Sequence, residues 1–173
     1  MTSRIGYGSH LFLNEYISGN KCRRIMEIGV ADGENARMMV TVAIRNFSPG
    51  EVEYYGFDFF EGSSIEQVKR KLEEIGCGFK LFQGDSVCTL PSVLKVLPRM
   101  DLIFIDGGHS YATVKSDWEN SKSLMHDGTG VFFHNYGFSG VKKLVDSISR
   151  REYRVKIIHP SSDYDSAFVK KRV

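Results

Sequence analysis

Apolar residues along this chain fall into short continuous runs separated by amphipathic stretches. The sharpest run is Leu102, Ile103, Phe104 and Ile105, bounded by Asp101 and Asp106 and followed by Gly107, Gly108 and His109. An uninterrupted apolar run of this length, ended by a carboxylate and two glycines, reads as a strand buried on both faces, the habit of parallel sheets. Similar runs predict strands over residues 23–30, 52–60, 79–83 and 131–133. Between them apolar positions recur at helical spacing. Ala36, Met39, Val40, Ala43 and Ile44 predict a helix over 34–46, and further helices are predicted over 63–75, 111–125 and 141–148. Ser63, Ser64, Ile65 and Glu66 approach a capping box at one of these starts. A helix within 87–96 is interrupted at Pro91, and Asp127 to Gly130 predicts a turn. Leu11, Phe12, Leu13, Tyr16 and Ile17 predict a short helix within residues 1–20, ending near Gly19 and Asn20, that either covers a pocket or packs on the sheet. Two short strands at 155–158 and 167–169 close the pattern as a hairpin around Pro160 to Asp163.

Strand and helix thus alternate five times before a last helix and two strands. That order predicts an α/β fold with a mostly parallel seven-stranded sheet and helices on both faces. A length of 173 residues, with 42% hydrophobic and 25% charged residues, suits a single domain spanning 1–173. A net charge of +2 gives no electrostatic case for nucleic acid. Three scattered cysteines, Cys22, Cys77 and Cys88, have neither metal-site nor disulfide-framework spacing. The N-terminal stretch has no apolar core of signal-peptide length, and no run approaches membrane-spanning length. A cytoplasmic protein that does not enter membranes is the expectation.

The polar motifs follow the strands. Glu27 and Gly29 lie in the last part of the first strand and Ala31 and Gly33 in the small-residue turn that follows, and Asp58 and Phe59 end the second. Gly84, Asp85 and Ser86 follow the third, Asp106 and His109 the fourth, and His134, Asn135 and Tyr136 the fifth. Each acid taken alone reads equally well as a helix cap or turn residue. Together they converge on the carboxyl edge of one sheet, where open α/β sheets bind ligands. The first turn lacks the full Gly-x-Gly-x-x-Gly pattern, which argues against a dinucleotide-dependent oxidoreductase.

These segments, from Glu27 to Tyr136, resemble those of class I S-adenosylmethionine-dependent methyltransferases. They are most similar to the small-molecule O-methyltransferases of macrocin and mycinamicin type. Glu27 to Gly33 resembles the first motif and Tyr55 to Asp58 the ribose-binding strand end. Asp85 with Ser86 resembles the adenine-side segment, and Asp106 to Tyr111, with Asp117 beyond, the most distinctive signature. The resemblance implies a Rossmann-like fold and S-adenosylmethionine as cofactor. It implies that Glu27, Gly29 and Ala31 line its methionine part, that Asp58 and Phe59 meet the ribose, and that Asp85, Ser86 and Asp106 complete the cofactor site. It further implies Asp106 as a magnesium ligand, Asn135 at the second ligand position, and His109 as general base. The family often has His-Asp-Tyr where this chain has His134, Asn135 and Tyr136, and one lost carboxylate weakens a magnesium site.

The expected activity is methyl transfer to a hydroxyl of a small molecule of sugar, polyol or phenol type, with Asp106 and His109 catalytic and magnesium assistance left open. Phe59, Phe60, Tyr111 and Tyr136 either stack on that acceptor or pack internally, and family habit suggests a homodimer. The alternative is a degenerate methyltransferase fold serving as a cofactor-binding or interaction module, for which compact size and Asn135 speak.

Overall fold

The structure, a computed structural model, describes residues 10–61, 65–161 and 163–173. Seven strands form one sheet: β1 (Arg24–Ile28), β2 (Glu53–Asp58), β3 (Gly78–Gln83), β4 (Met100–Ile105), β5 (Met125–Phe133), β6 (Tyr153–Ile158) and β7 (Ser166–Lys171). Their order is β3-β2-β1-β4-β5-β7-β6. The first five run parallel, whereas β7 is antiparallel to both β5 and β6. The expected fold class is therefore borne out, including the final hairpin. Among the described residues six α-helices flank the sheet: α1 (Leu11–Gly19), α2 (Glu34–Ala43), α3 (Ile65–Ile75), α4 (Ser86–Val93), α5 (Tyr111–Lys122) and α6 (Ser139–Ser147).

Side chains alternate across the sheet, and this period of two divides the core. Met26, Ile28, Phe57, Ile103, Ile105 and Phe133 pack with Leu90 of α4, Trp118 of α5 and Leu144 of α6. Ile25, Tyr54, Leu102, Phe104 and Phe132 face the other way, against Ile17 of α1, Met39 of α2 and Leu72 of α3. At the amino edge, Asp101 Oδ2 accepts the Arg23 and Arg24 backbone N–H groups, both at 2.8 Å. Its Oδ1 lies 2.9 Å from His126 Nε2. One carboxylate thus ties the start of β1 to β4 and β5.

Two details differ from the sequence expectation, and one alternative it left open is resolved. Asp127 to Gly130 is not a turn but part of the long strand β5, whose pairing with β4 shifts register between Met100 and Leu102. Thr129 bridges the irregularity, its hydroxyl accepting from His126 N at 2.8 Å and donating to Met100 O at 2.6 Å. Helix α4 continues through Pro91 and ends in a single 3-10 turn at Leu94–Val96. Helix α1 takes the packing role, for its Tyr16 ring lies edge-on to Phe132 at 5.8 Å and its hydroxyl donates to Gly128 O at 2.8 Å. The part of the expected lid within residues 1–9, the capping serines Ser63 and Ser64, and Ser162 of the hairpin connection lie outside the described residues.

A Cβ at Gly130 would sit 2.5 Å from the Tyr16 ring, so α1 seats only where β5 has no side chain. Gly130→Ala is expected to lower thermal stability more than Tyr16→Phe, which removes one hydrogen bond and costs about 1 kcal/mol. Melting both variants by circular dichroism checks this; equal losses would contradict it.

Candidate active site

The strand order reverses between β1 and β4, and the chain is drawn tight there. Gly29 N donates to Phe57 O and Asp106 N donates to Ile28 O, each at 2.8 Å. Gly29 has a φ of +90°, and a Cβ on it would lie 2.1 Å from the Asp106 carbonyl oxygen. Only glycine lets these two turns meet. Above them opens a cleft of about 390 Å³ lined by Gly29, Asp58, Phe59, Asp85, Ser86 and Asp106, among others. Acids far apart in the chain thus share one wall at the switch point, where ligands bind in such sheets.

Backbone N–H groups hold the cleft acids Asp58 and Asp85 in place. Asp58 accepts from Ala31 N at 3.0 Å and Phe60 N at 2.6 Å. Both donors have left-handed φ values, 51° and 58°. Ala31 therefore orients Asp58 through its backbone and does not itself line the cleft. Asp85 caps α4, accepting from Val87 N at 3.0 Å, and also lines the cleft. Phe59 stands exposed at the mouth, whereas Phe60 is buried. Tyr136 turns to Asp146 and Lys142, and Tyr111 lies beneath the Lys143 ammonium. Neither tyrosine lines the cleft.

Glu27 is placed differently from the expectation. It is 1% exposed and lies below the cleft, where Asn35 Nδ2 donates to its Oε1 at 2.7 Å and the Tyr54 hydroxyl bonds its Oε2. Burial pushes its carboxyl up to about 8 against the pull of these two bonds. It supports the floor from within the core and does not line the cleft directly. Asp117 is a second buried acid, pushed up by burial to about 6. One of its oxygens lies 3.5 Å from where a Gly107 Cβ would be.

The catalytic candidates gather around one oxygen. Asp106 Oδ1 receives Asn135 Nδ2 at 3.0 Å, lies 3.0 Å from His134 Nδ1, and is 3.6 Å from His109 Nε2. His134 Nε2 reaches Asp163 Oδ1 at 2.9 Å. Burial works against a charge on His134, yet the two flanking aspartates outweigh it and lift the imidazole to about 9. Asn135 Nδ2 also lies 3.0 Å from His109 Nε2. An amide nitrogen only donates, so the network assigns His109 Nε2 as acceptor, with its proton on Nδ1.

This arrangement does not fit magnesium. The expected pair, Asp106 and Asn135, meets through an N–H donor, and the same Asp106 oxygen faces a histidine held cationic by its neighbours. Magnesium requires oxygen ligands in near-octahedral array. Among the described residues no group of three His, Cys, Asp or Glu side chains is arranged to hold a metal ion. The exchange of a carboxylate for Asn135 is the physical reason. Sequence reasoning missed Asp163, which stood only as a hairpin residue, and the partners Asn35 and Tyr54. Glu27 in an apolar strand was the available signal that buried polar partners must exist.

A sheet of this order, with its cleft at the β1/β4 reversal, defines a Rossmann-like class I methyltransferase fold. A family described as a methyltransferase domain matches residues 26–136, more than half of the chain, and the chain belongs to that family. Its structure is similar to CalS11, a TDP-rhamnose 3'-O-methyltransferase of calicheamicin biosynthesis (TM-score 0.77, 17% identity, covering 92% of this chain and 77% of that one). It is also similar to the O-methyltransferase TomG from Streptomyces achromogenes (0.72, 14%, 96% and 79%). An O-methyltransferase from Bacillus cereus, solved with S-adenosylhomocysteine, is similar again (0.71, 15%, 95% and 80%). At these identities the likeness is one of fold. No curated protein matches the chain in sequence. No helix among the described residues is long and apolar enough to cross a membrane.

Two outcomes test this geometry. Glu27 holds a proton in the folded state up to about pH 8 and in the unfolded chain only to about its ordinary 4.5. Its contribution therefore declines as pH rises between these values and is level above them. Glu27→Gln, which copies the protonated acid, should match wild type in thermal stability at pH 5 and exceed it at pH 8; a lead that does not grow with pH would refute the assignment. Asn135→Asp should restore a cation site: wild type should show no saturable Mn2+ binding below about 1 mM by electron paramagnetic resonance, and the variant should bind at least about tenfold tighter. Tight Mn2+ binding by wild type would overturn the misfit.

Proposed function

We infer that the chain transfers the methyl group of S-adenosylmethionine to a hydroxyl oxygen of a small molecule. The observation that carries this reading is the single cleft at the switch point, with the Asp106, Asn135 and His109 cluster on its rim. The family supports methyl transfer. The oxygen acceptor and the cofactor draw support from the resemblance and from structural relatives named as O-methyltransferases, one of them in complex with S-adenosylmethionine. A binding module without turnover is the weaker reading, because the cluster includes an imidazole acceptor nitrogen beside a carboxylate.

The cleft fits the cofactor. Its volume of about 390 Å³ lies in the range of small-molecule sites. Gly29 leaves bare backbone for the methionine part, Asp58 presents a fixed carboxylate for the ribose hydroxyls, and Asp85 with Ser86 suits the adenine. The bound cofactor supplies an electrophilic methyl on a sulfonium. The chain's own residues then do two things. The rigid strand ends orient the reactants, which supplies much of the acceleration of an in-line displacement. His109 Nε2, turned from Asn135 to the acceptor, takes the hydroxyl proton. Asp106, 3.6 Å from that nitrogen, stabilises the imidazolium that results. No step requires a metal ion.

His109→Ala is expected to lower methyl transfer by about 10²- to 10⁴-fold while leaving S-adenosylhomocysteine affinity within about threefold. Asp106→Asn should lower turnover as well, and excess chelator should leave wild-type turnover unchanged. Single-turnover assays with radiolabelled cofactor measure the first two; wild-type rates in His109→Ala would remove its role.

A further inference from the structure

Asp117 of α5 is a buried acid for which methyl transfer itself has no use. Its side chain is sealed from solvent, and among the described residues neither carboxyl oxygen receives a hydrogen bond of full geometry. Its position relates it to the cleft. Thr113 lines the cleft, and Asp117 follows it by one helical turn on the same face of α5. Gly107 also lines the cleft, and Asp117 Oδ2 lies 3.5 Å from where a Cβ on that glycine would be. The carboxyl therefore sits beneath the floor, with the Gly107 backbone above it.

One polar side chain connects it to the ligand space. Burial raises the acid to about 6; the Ser86 hydroxyl works the other way by hydrogen bonding to the charged form, and the neighbouring Asp85 carboxylate adds to the effect of burial. Ser86 and Asp85 both line the cleft. Ser86 is the first residue of α4, so the carbonyl one turn back, to which a helical serine ordinarily gives its proton, belongs to β3. A hydroxyl has a single proton. With Asp117 charged, that proton turns inward and Ser86 keeps only lone pairs for the cleft. Asp85 beside it is likewise an acceptor. With Asp117 protonated, or replaced by an amide, the buried group donates to Ser86 and the serine proton is released toward the cleft.

We propose that Asp117 is a positioning residue that fixes the direction of the Ser86 hydroxyl, so that this end of the cleft offers acceptors alone and selects a 6-amino purine over a 6-oxo purine. A 6-amino group carries two N–H donors, one for each acceptor. A 6-oxo group sets a further acceptor against the two, and such a mismatch excludes a ligand more sharply than a lost contact weakens one. The proposal rests on the reading that the adenine of the cofactor lies at Asp85 and Ser86. It goes beyond that reading by assigning selectivity to an acid that touches no ligand.

S-adenosylhomocysteine and S-inosylhomocysteine, which differ at the purine 6-position, are titrated calorimetrically into the full chain at pH 7.5 and pH 5. At pH 7.5 wild type should prefer the 6-amino ligand by at least about 100-fold. Asp117→Asn and Ser86→Ala should each narrow that preference by at least about tenfold, and the double variant should narrow it no further than either alone. At pH 5, where Asp117 is protonated, wild type should approach Asp117→Asn. The variant keeps every other titrating group and should hold one ratio at both pH values. An equal loss of affinity for both ligands in Asp117→Asn would show a merely structural role and overturn the proposal, as would a full further narrowing when Asp117→Asn is added to Ser86→Ala. If Asp117→Asn does not fold, the wild-type pH comparison and Ser86→Ala decide, and a preference unchanged by either overturns the proposal. Binding of neither ligand by wild type would remove the cofactor reading and the proposal with it, whereas tight S-adenosylhomocysteine binding with a preference no variant alters would remove the proposal alone.

Discussion

The meeting of two backbones at the switch point governs everything around it. Gly29 and the Asp106 carbonyl are so close that a single methyl group between them has no room. This contact sets the β1 turn against the β4 turn, and the strand-end hydrogen bonds from Gly29 to Phe57 and from Asp106 to Ile28 draw β2 into the same edge. Small residues there do more than permit a bend. They leave an open cleft whose walls are carboxylates carried on three different strand ends.

On this frame the polar groups sort by depth. Glu27 lies deepest, protonated and bonded to Asn35 and Tyr54, so that the floor carries a satisfied polar group and no bare charge. Asp58 and Asp85 lie at the surface of the cleft and are held by backbone N–H groups, Asp58 by Ala31 of the β1 turn and by Phe60 of its own, Asp85 by Val87. Asp106 stands at the rim and gathers His134, Asn135 and His109. The charge that a divalent ion brings to other sites is met here by a histidine between two aspartates. Asn135 donates toward Asp106 and lies beside His109 Nε2, while its own Oδ1 is buried without a hydrogen-bond partner.

Much of this was legible along the chain. The continuous apolar runs announced a parallel sheet because such strands are buried on both faces, and the acids that end them were bound to share an edge. Pairing across the sheet was less legible. The Asp127 to Gly130 segment has turn composition, yet the register shift in β5 and the seat for Tyr16 require those small residues within a strand. Glu27 carried the ambiguity of any motif acid, and only the partners from α2 and β2 show that it points into the core. Asp163 lies 29 residues from His134 and belongs to a loop, so no periodicity joins them. Asn135 showed that a carboxylate was absent, but not that its amide would take the opposite hydrogen-bonding role.

The account depends most on the cleft between β1, β2 and β4 being the cofactor site. Calorimetric titration of S-adenosylhomocysteine into wild type and Asp58→Ala tests it most directly, with folding of both checked by circular dichroism. Saturable binding by wild type and a loss of at least about tenfold in the variant is the result expected. Equal affinity in the two proteins would contradict the placement, and with it the convergence from which the mechanism follows.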